Sequence, residues 1–372
     1  MAAYGIDPRE VPPSFRPFAE AILARSGADD ATMAEALVTL LGTVGEKAPA
    51  GEARAFALLL RRALPLSARL MQVSDVYIRP RYPLWYIRAV NDRQRNAAYR
   101  RAIETLVRPG MVVLEAGTGS GLFAMMAARA GAAHVYACEA DAQVARIARA
   151  NIARNGLNES ITVLDCRYED VRLDEHLPRR AELVIHEFVS AELAIPKLRA
   201  MVEGLREHVV TDDAPFLPGA FATRAMLIAD EAPLDLVRVP AEVEGFDLSQ
   251  INCLAPAGAS LAPPVCIEGP LSAPFTLARL EMTTVPDETC GTRCIEVPVT
   301  ADGAATGLVQ WVRHEFPDGT VYENAPGRIC HWWPNFRPFP APVAVRQGTA
   351  LALRLTVTES EVFADPDEGC AP

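Results

Sequence analysis

Residues 111–141, MVVLEAGTGSGLFAMMAARAGAAHVYACEAD, constrain this chain more than any other stretch. An apolar run at 111–114 leads into Glu115. Glycines then recur at every second position (Gly117, Gly119, Gly121), followed by an alanine-rich helical segment. A second short apolar run, 134–138, ends at the acid Glu139. Strand, glycine loop, helix, strand, acid is the order of a nucleotide-binding unit. The glycines let the backbone approach a ligand closely, and the acid accepts from ribose hydroxyls.

Spacing narrows the nucleotide. Counted from Gly117, a dinucleotide fingerprint asks for glycine at position 122, which is Leu122. Counted from Gly119, the third place is Ala124, which some variants of the fingerprint accept. No Gly-Lys-Ser/Thr follows, so a phosphate-gripping P-loop is excluded. Glu115 immediately before the loop would repel a pyrophosphate but suits a ligand with a cationic amino-acid end. The pattern E-x-G-x-G-x-G resembles the first motif of the class I S-adenosylmethionine (SAM) methyltransferases, with Glu115, Gly117, Gly119, Gly121 and Glu139 as cofactor-binding residues.

Strand–helix alternation continues beyond this unit. A helix is expected over 142–155, closed by Gly156, then a strand with Asp165, Glu169 and Asp170 at its end, then a fourth strand ending at His186 and Glu187. That alternation gives a parallel, doubly wound sheet with ligands at the carboxyl ends of its strands. Past 214 the texture changes. Short β-rich runs (ATRAMLIA, TGLVQWVRHEF, ALALRLTVTES) alternate with Pro/Gly turns, which reads as an antiparallel barrel or sandwich. Before the sheet, residues 14–70 carry apolar positions at three and four spacing, the mark of a small helical module. The expected division is a helical module over 1–74, a Rossmann-like SAM-binding domain with a lid helix over 75–214, and a β-barrel substrate domain over 215–372.

Composition bounds the partners. A net charge of −11 argues against nucleic acid, whose binding leans on a basic footprint. No apolar run approaches about 20 residues and no basic-then-apolar leader opens the chain, so neither a membrane nor secretion is expected and the cytoplasm is the expected location. The eight cysteines form no CxxC pair and read as free, mostly buried thiols; no metal site is expected.

From about residue 77 to 357 the chain resembles the protein arginine N-methyltransferases. The likeness rests on NDRQRNAAYRRAI, EAGTGSGLFAMMAARAGA, YACEAD, YEDV, VIHEFV, EGFDLSQIN and CHWW, in that family's order. It implies an α/β plus β fold, SAM as cofactor and dimerisation, either through an arm reduced to residues 230–244 with Pro233 and Pro240 or through the N-terminal helices instead. It also implies roles residue by residue. Arg95 would grip the SAM carboxylate, Glu139 would take the ribose and Glu169 would face the adenine. Asp92 and His331 would pair across the domain junction, and Glu187 would hold the substrate guanidinium.

One feature departs from the family. Its second substrate carboxylate lies nine residues after the first, where this chain has Pro196; the nearest acid is Glu192. A guanidinium and a sulfonium are both cationic, so carboxylates are needed to offset their repulsion and to hold the target nitrogen. Three readings stay open: methylation of a guanidino nitrogen of arginine, free or peptidyl, with Glu187, Glu192, Asp92 and His331 as the catalytic set; a small-molecule methyltransferase with a non-arginine substrate; and a SAM-binding protein without turnover.

Overall fold

The computed structural model describes residues 6–24, 29–64, 66–188, 195–240, 242–262, 267, 269–282, 290–330, 332–358, 362–367 and 369. The chain divides into two compact units, Met1–Ile87 and Arg88–Pro372.

The first unit is helical: α1 (Arg16–Leu23), α2 (Asp30–Val44), α3 (Ala50–Ala63) and α4 (Ala68–Ile78). Asp29 starts α2 by accepting from the Thr32 amide at 2.8 Å, and Ser67 starts α4 by accepting from the Leu70 amide at 3.1 Å. Leu37, Leu41, Phe56, Leu60 and Leu70 are fully buried, and Phe56 stacks on Phe15 with centroids 4.4 Å apart. The helical expectation holds here, and α4 continues to Ile78 through residues grouped by the sequence with the next segment. A short helix, α5 (Trp85–Asn91), carries the chain into the second unit.

The second unit opens on α6 (Arg93–Leu106). A five-stranded parallel sheet follows: β1 (Val112–Ala116), β2 (His134–Cys138), β3 (Ile161–Leu164), β4 (Leu183–His186) and β5 (Phe216–Leu217), with α7 (Leu122–Arg129), α8 (Ala142–Arg154) and α9 (Ile195–His208) between strands. The order is β3-β2-β1-β4-β5. β1 is buried at all five positions, as a central parallel strand covered on both faces must be. The chain winds outward from β1 through β2 to β3, then returns to place β4 on the other side of β1. The topological switch therefore lies between β1 and β4, where ligands of such sheets bind.

Register fixes what sits at that switch. Ala116 pairs with Cys138 on one side and with His186 on the other. The next residues, Gly117, Glu139 and Glu187, therefore emerge together at the carboxyl edge.

The rest of the unit is antiparallel: β6 (Ala220–Ile228), β7 (Glu242–Val243), β8 (Phe246–Asp247), β9 (Ala259–Ser260), β10 (Phe275–Glu281), β11 (Gly291–Pro298), β12 (Gly303–Glu315), β13 (Val321–Glu323), β14 (Asn335–Val345), β15 (Ala350–Val357) and β16 (Val362–Pro366). The larger sheet runs β10-β6-β12-β14-β9 with β13 on β12; the others are β11-β15-β16 and the pair β7-β8. Most of β12 is buried because β6 and β14 flank it, and Trp311 is part of that interior. A Rossmann-like parallel half followed by an antiparallel half is the architecture expected from the sequence.

The cysteine reading needs one correction. Cys138, Cys166, Cys253, Cys290 and Cys330 are free, but Cys294 on β11 is disulfide-bonded. Cys253 and Cys290 are exposed, so burial of free thiols holds only for some of them.

Candidate active site

The site is built from the first turn of α6, the glycine loop and the ends of β2 and β4. Asp92 is the N-cap of α6: its Oδ1 accepts from the Arg95 amide at 2.9 Å. This cap sets where the Arg95 side chain leaves the helix. Arg95 is only 7% exposed, and its guanidinium lies 4.4 Å from the centre of the Phe123 ring. The Nε donates to Glu187 Oε1 at 2.6 Å and Nη2 donates to Glu187 Oε2, forming a two-pronged ion pair. Nη1 donates to the Ala89 carbonyl at 3.1 Å and to Asn96 Oδ1 at 2.8 Å. Four of five N–H groups are thereby engaged, and one on Nη2 is left.

In the glycine loop, Gly117, Gly119 and Gly121 all have positive φ, at 75°, 54° and 82°. Gly117 also lies under Phe188: a Cβ there would come within 2.7 Å of that ring. A Cβ on Gly119 would meet nothing within 4 Å, so its backbone borders open space. Glu139 braces this loop, its Oε2 accepting from the Gly119 amide at 3.0 Å and its Oε1 from the Asp141 amide at 3.0 Å. Each oxygen keeps a further lone pair.

Glu115 points inward. Its Oε2 accepts from Thr118 Oγ1 at 2.5 Å and from the Ala124 amide at 3.0 Å, tying the loop to the start of α7. Complete burial pushes its pKa up to about 8. It is therefore largely uncharged at neutral pH, and its visible work is bracing the loop rather than presenting a charge.

Glu169 lies in a 3-10 turn, Tyr168–Asp170, and accepts from Arg167 Nη2 at 2.7 Å. Partial burial works to raise its pKa, but the Arg167 bond prevails and the pKa is lowered. His331 and Glu192 lie outside the described residues. Position 196 falls in the first turn of α9, where proline is favoured.

Several neighbours carried no signal in the sequence. Tyr322 on β13 donates its hydroxyl to Asp92 Oδ2 at 2.7 Å. Tyr99 stacks on Phe123 at 4.0 Å and donates to the His186 carbonyl at 2.9 Å, joining α6 to the end of β4. His186 itself is buried among Phe188, Phe216 and Phe221, and burial drives its pKa down to about 3.

Comparison with known proteins bears on the family and the fold. The profile of the family described as Ribosomal protein L11 methyltransferase (PrmA) matches residues 100–233. The chain is 32% identical over 284 residues to the Arginine N(omega)-methyltransferase of Streptomyces achromogenes subsp. streptozoticus, covering 73% of this chain and 76% of that one. It is 37% identical over 110 residues to Protein arginine N-methyltransferase 9 of Xenopus laevis, but this spans only 13% of that longer protein. In fold it is similar to the Trypanosoma brucei PRMT1 enzyme–prozyme heterotetrameric complex with AdoHcy, with TM-score 0.65, 22% identity, and 74% of this chain and 88% of that one covered. It is also similar to Arabidopsis thaliana Protein Arginine Methyltransferase 10, with TM-score 0.59, 20% identity, and 73% and 86% covered.

A parallel sheet with a glycine loop and an acid at its switch point, joined to an antiparallel half and similar to known methyltransferases, is that of a class I SAM-dependent methyltransferase. Within that class the chain belongs to the arginine N-methyltransferase family. Its residues fit the cofactor, since Gly119 borders open space, Glu139 retains acceptor capacity and Arg95 retains a donor.

Proposed function

We propose that the chain methylates a guanidino nitrogen of arginine, with free arginine or a small guanidino compound as substrate and peptidyl arginine as the alternative. The observation carrying this reading is that Glu187 already holds a guanidinium, that of Arg95, at the switch-point edge. This pairing supports Glu187 as the carboxylate for the substrate, and each oxygen keeps a lone pair for a second guanidinium. The small-molecule preference rests on extent of likeness. The relative matched over most of its length is named for arginine, whereas the protein arginine methyltransferases at 37% identity match over about 110 residues.

In this reading Arg95 uses its remaining Nη2 proton toward the SAM carboxylate. Gly117, Gly119 and Gly121 open the loop to the cofactor, with Glu115 bracing it. Glu139 takes the ribose hydroxyls and Glu169 the adenine amino group. SAM supplies an electrophilic methyl on a cationic sulfonium. Glu187 offsets the repulsion between that cation and the guanidinium and orients the target nitrogen. The released proton is assigned to Asp92 with His331, and a second carboxylate to Glu192; both assignments rest on the sequence. The three-part division at residues 74/75 and 214/215 is kept on the change from helical to parallel to antiparallel texture.

We propose further that the protein works as a cytoplasmic homodimer. Leu236, Phe246, Leu248, Ile251 and Leu254, in the segment after β6, are each at least 47% exposed, an apolar set suited to a second copy. No helix among the described residues is long and apolar enough to cross a membrane.

Incubation with methyl-labelled SAM and free arginine, an RG-rich peptide or a guanidine-free control tests the activity. Labelled free arginine is the expected product. Label only in the peptide favours the alternative, and label in none, with SAM bound, defeats the catalytic reading.

A further inference from the structure

We infer that Tyr322 is a positioning residue for the Arg95–Glu187 pair, acting through Asp92. The inference rests on the proposed roles of Arg95 and Glu187. Tyr322 belongs to β13, beside β12 in the antiparallel half, and is 2% exposed. Its hydroxyl donates to Asp92 Oδ2 at 2.7 Å, while Asp92 Oδ1 accepts from the Arg95 amide at 2.9 Å.

One carboxylate thus receives a bond from each half of the unit, and the two oxygens fix both its position and its rotation. A free N-cap aspartate turns about its side-chain torsions; this one is held at its outer oxygen by a buried donor. The held cap fixes the first turn of α6, and Arg95 is the third residue of that turn. From there the guanidinium reaches across to Glu187 at 2.6 Å. Tyr322 touches neither member of the ion pair by hydrogen bond and works only through the cap. Burial and the adjacent carboxylate push its pKa far up, so it stays a donor throughout the physiological range.

The antiparallel half is thereby tied to the grip on the cofactor carboxylate. Nothing in the spacing of residue 322 pointed to this, because it lies 230 positions from Asp92.

The test is direct binding of S-adenosylhomocysteine by calorimetry to wild type, Tyr322→Phe, Asp92→Ser and the double variant, with thermal melting of each. Tyr322→Phe keeps the ring and deletes one oxygen; Asp92→Ser keeps a cap for the Arg95 amide and removes the oxygen that Tyr322 holds. A hydrogen bond to a charged group implies affinity weakened about tenfold or more in Tyr322→Phe. The double variant should be no weaker than Asp92→Ser alone. A merely structural tyrosine would lower the melting temperature and leave the affinity of the folded protein unchanged. Affinity of Tyr322→Phe within twofold of wild type overturns the inference, as do additive losses in the double variant. If Tyr322→Phe fails to fold, Asp92→Ser decides alone: unchanged affinity there overturns the inference. Wild type that binds no S-adenosylhomocysteine defeats the functional reading itself, a distinct result.

Discussion

The guanidinium of Arg95 and the carboxylate of Glu187, 92 residues apart in sequence, form a two-pronged ion pair at the carboxyl edge of the parallel sheet. Each is mostly buried, with side chains 8% and 16% exposed. Removing either partner leaves a desolvated charge, while the pair together is self-compensating. The groups proposed to grip the cofactor and to hold the substrate guanidinium therefore form one electrostatic unit, and a change at one is felt at the other.

Glu187→Gln is expected to lower turnover at least about a hundredfold, because the neutral amide neither offsets the substrate's charge nor accepts at both atoms. SAM affinity should be retained or improved, since Arg95 loses a competing anion. Steady-state rates with direct binding check this, and turnover near wild type would remove Glu187 from its assigned role.

Arg95→Lys should weaken SAM binding by about tenfold or more. An ammonium keeps the charge but cannot fork onto Glu187 while also reaching Ala89, Asn96 and a ligand carboxylate. Equilibrium binding measures it; an unchanged dissociation constant would show that Arg95 does not touch the cofactor.

Glu115→Gln should change how stability depends on pH. An acid whose pKa is raised on folding contributes fully below its unfolded value, near 4.5, and loses that contribution as pH rises through about 8. Wild type should therefore fall behind the glutamine variant progressively between those values, with the gap flat above. Melting curves from pH 5 to 9 test this, and a constant difference would mean the carboxyl is ionised throughout.

Gly117→Ala should destabilise more than Gly119→Ala. Both positions have positive φ, costing an L-residue roughly 1–2 kcal/mol. Only Gly117 adds a clash, with the Phe188 ring at 2.7 Å. Adding Phe188→Ala should bring the Gly117 loss down to the Gly119 level. Equal losses in denaturant titration would place the ring elsewhere.

Much of the parallel half was legible because its signals are local. Glycines at 117, 119 and 121 and the acid at 139 lie on either side of one short helix, and strand–helix alternation with the register of β1 and β2 brings them together. At two places local pattern was not enough. Glu115 looked like a charge offered to a ligand, but its distance from solvent and its bonds to Thr118 and Ala124 are set by packing. Pro196 stands where the family has its second carboxylate, and the first turn of α9 accounts for a proline there without reference to substrate.

By itself the sequence determined the class: a glycine loop between strands, an acid after the second strand, and the motif order that marks the family. These follow from backbone conformation and short spacing, which a linear chain carries openly. Only the tertiary structure decided that Arg95 and Glu187 pair, that burial raises the pKa of Glu115, and that Tyr322 holds Asp92. Each of these depends on which groups are brought together out of water, and desolvation is a property of the packed chain.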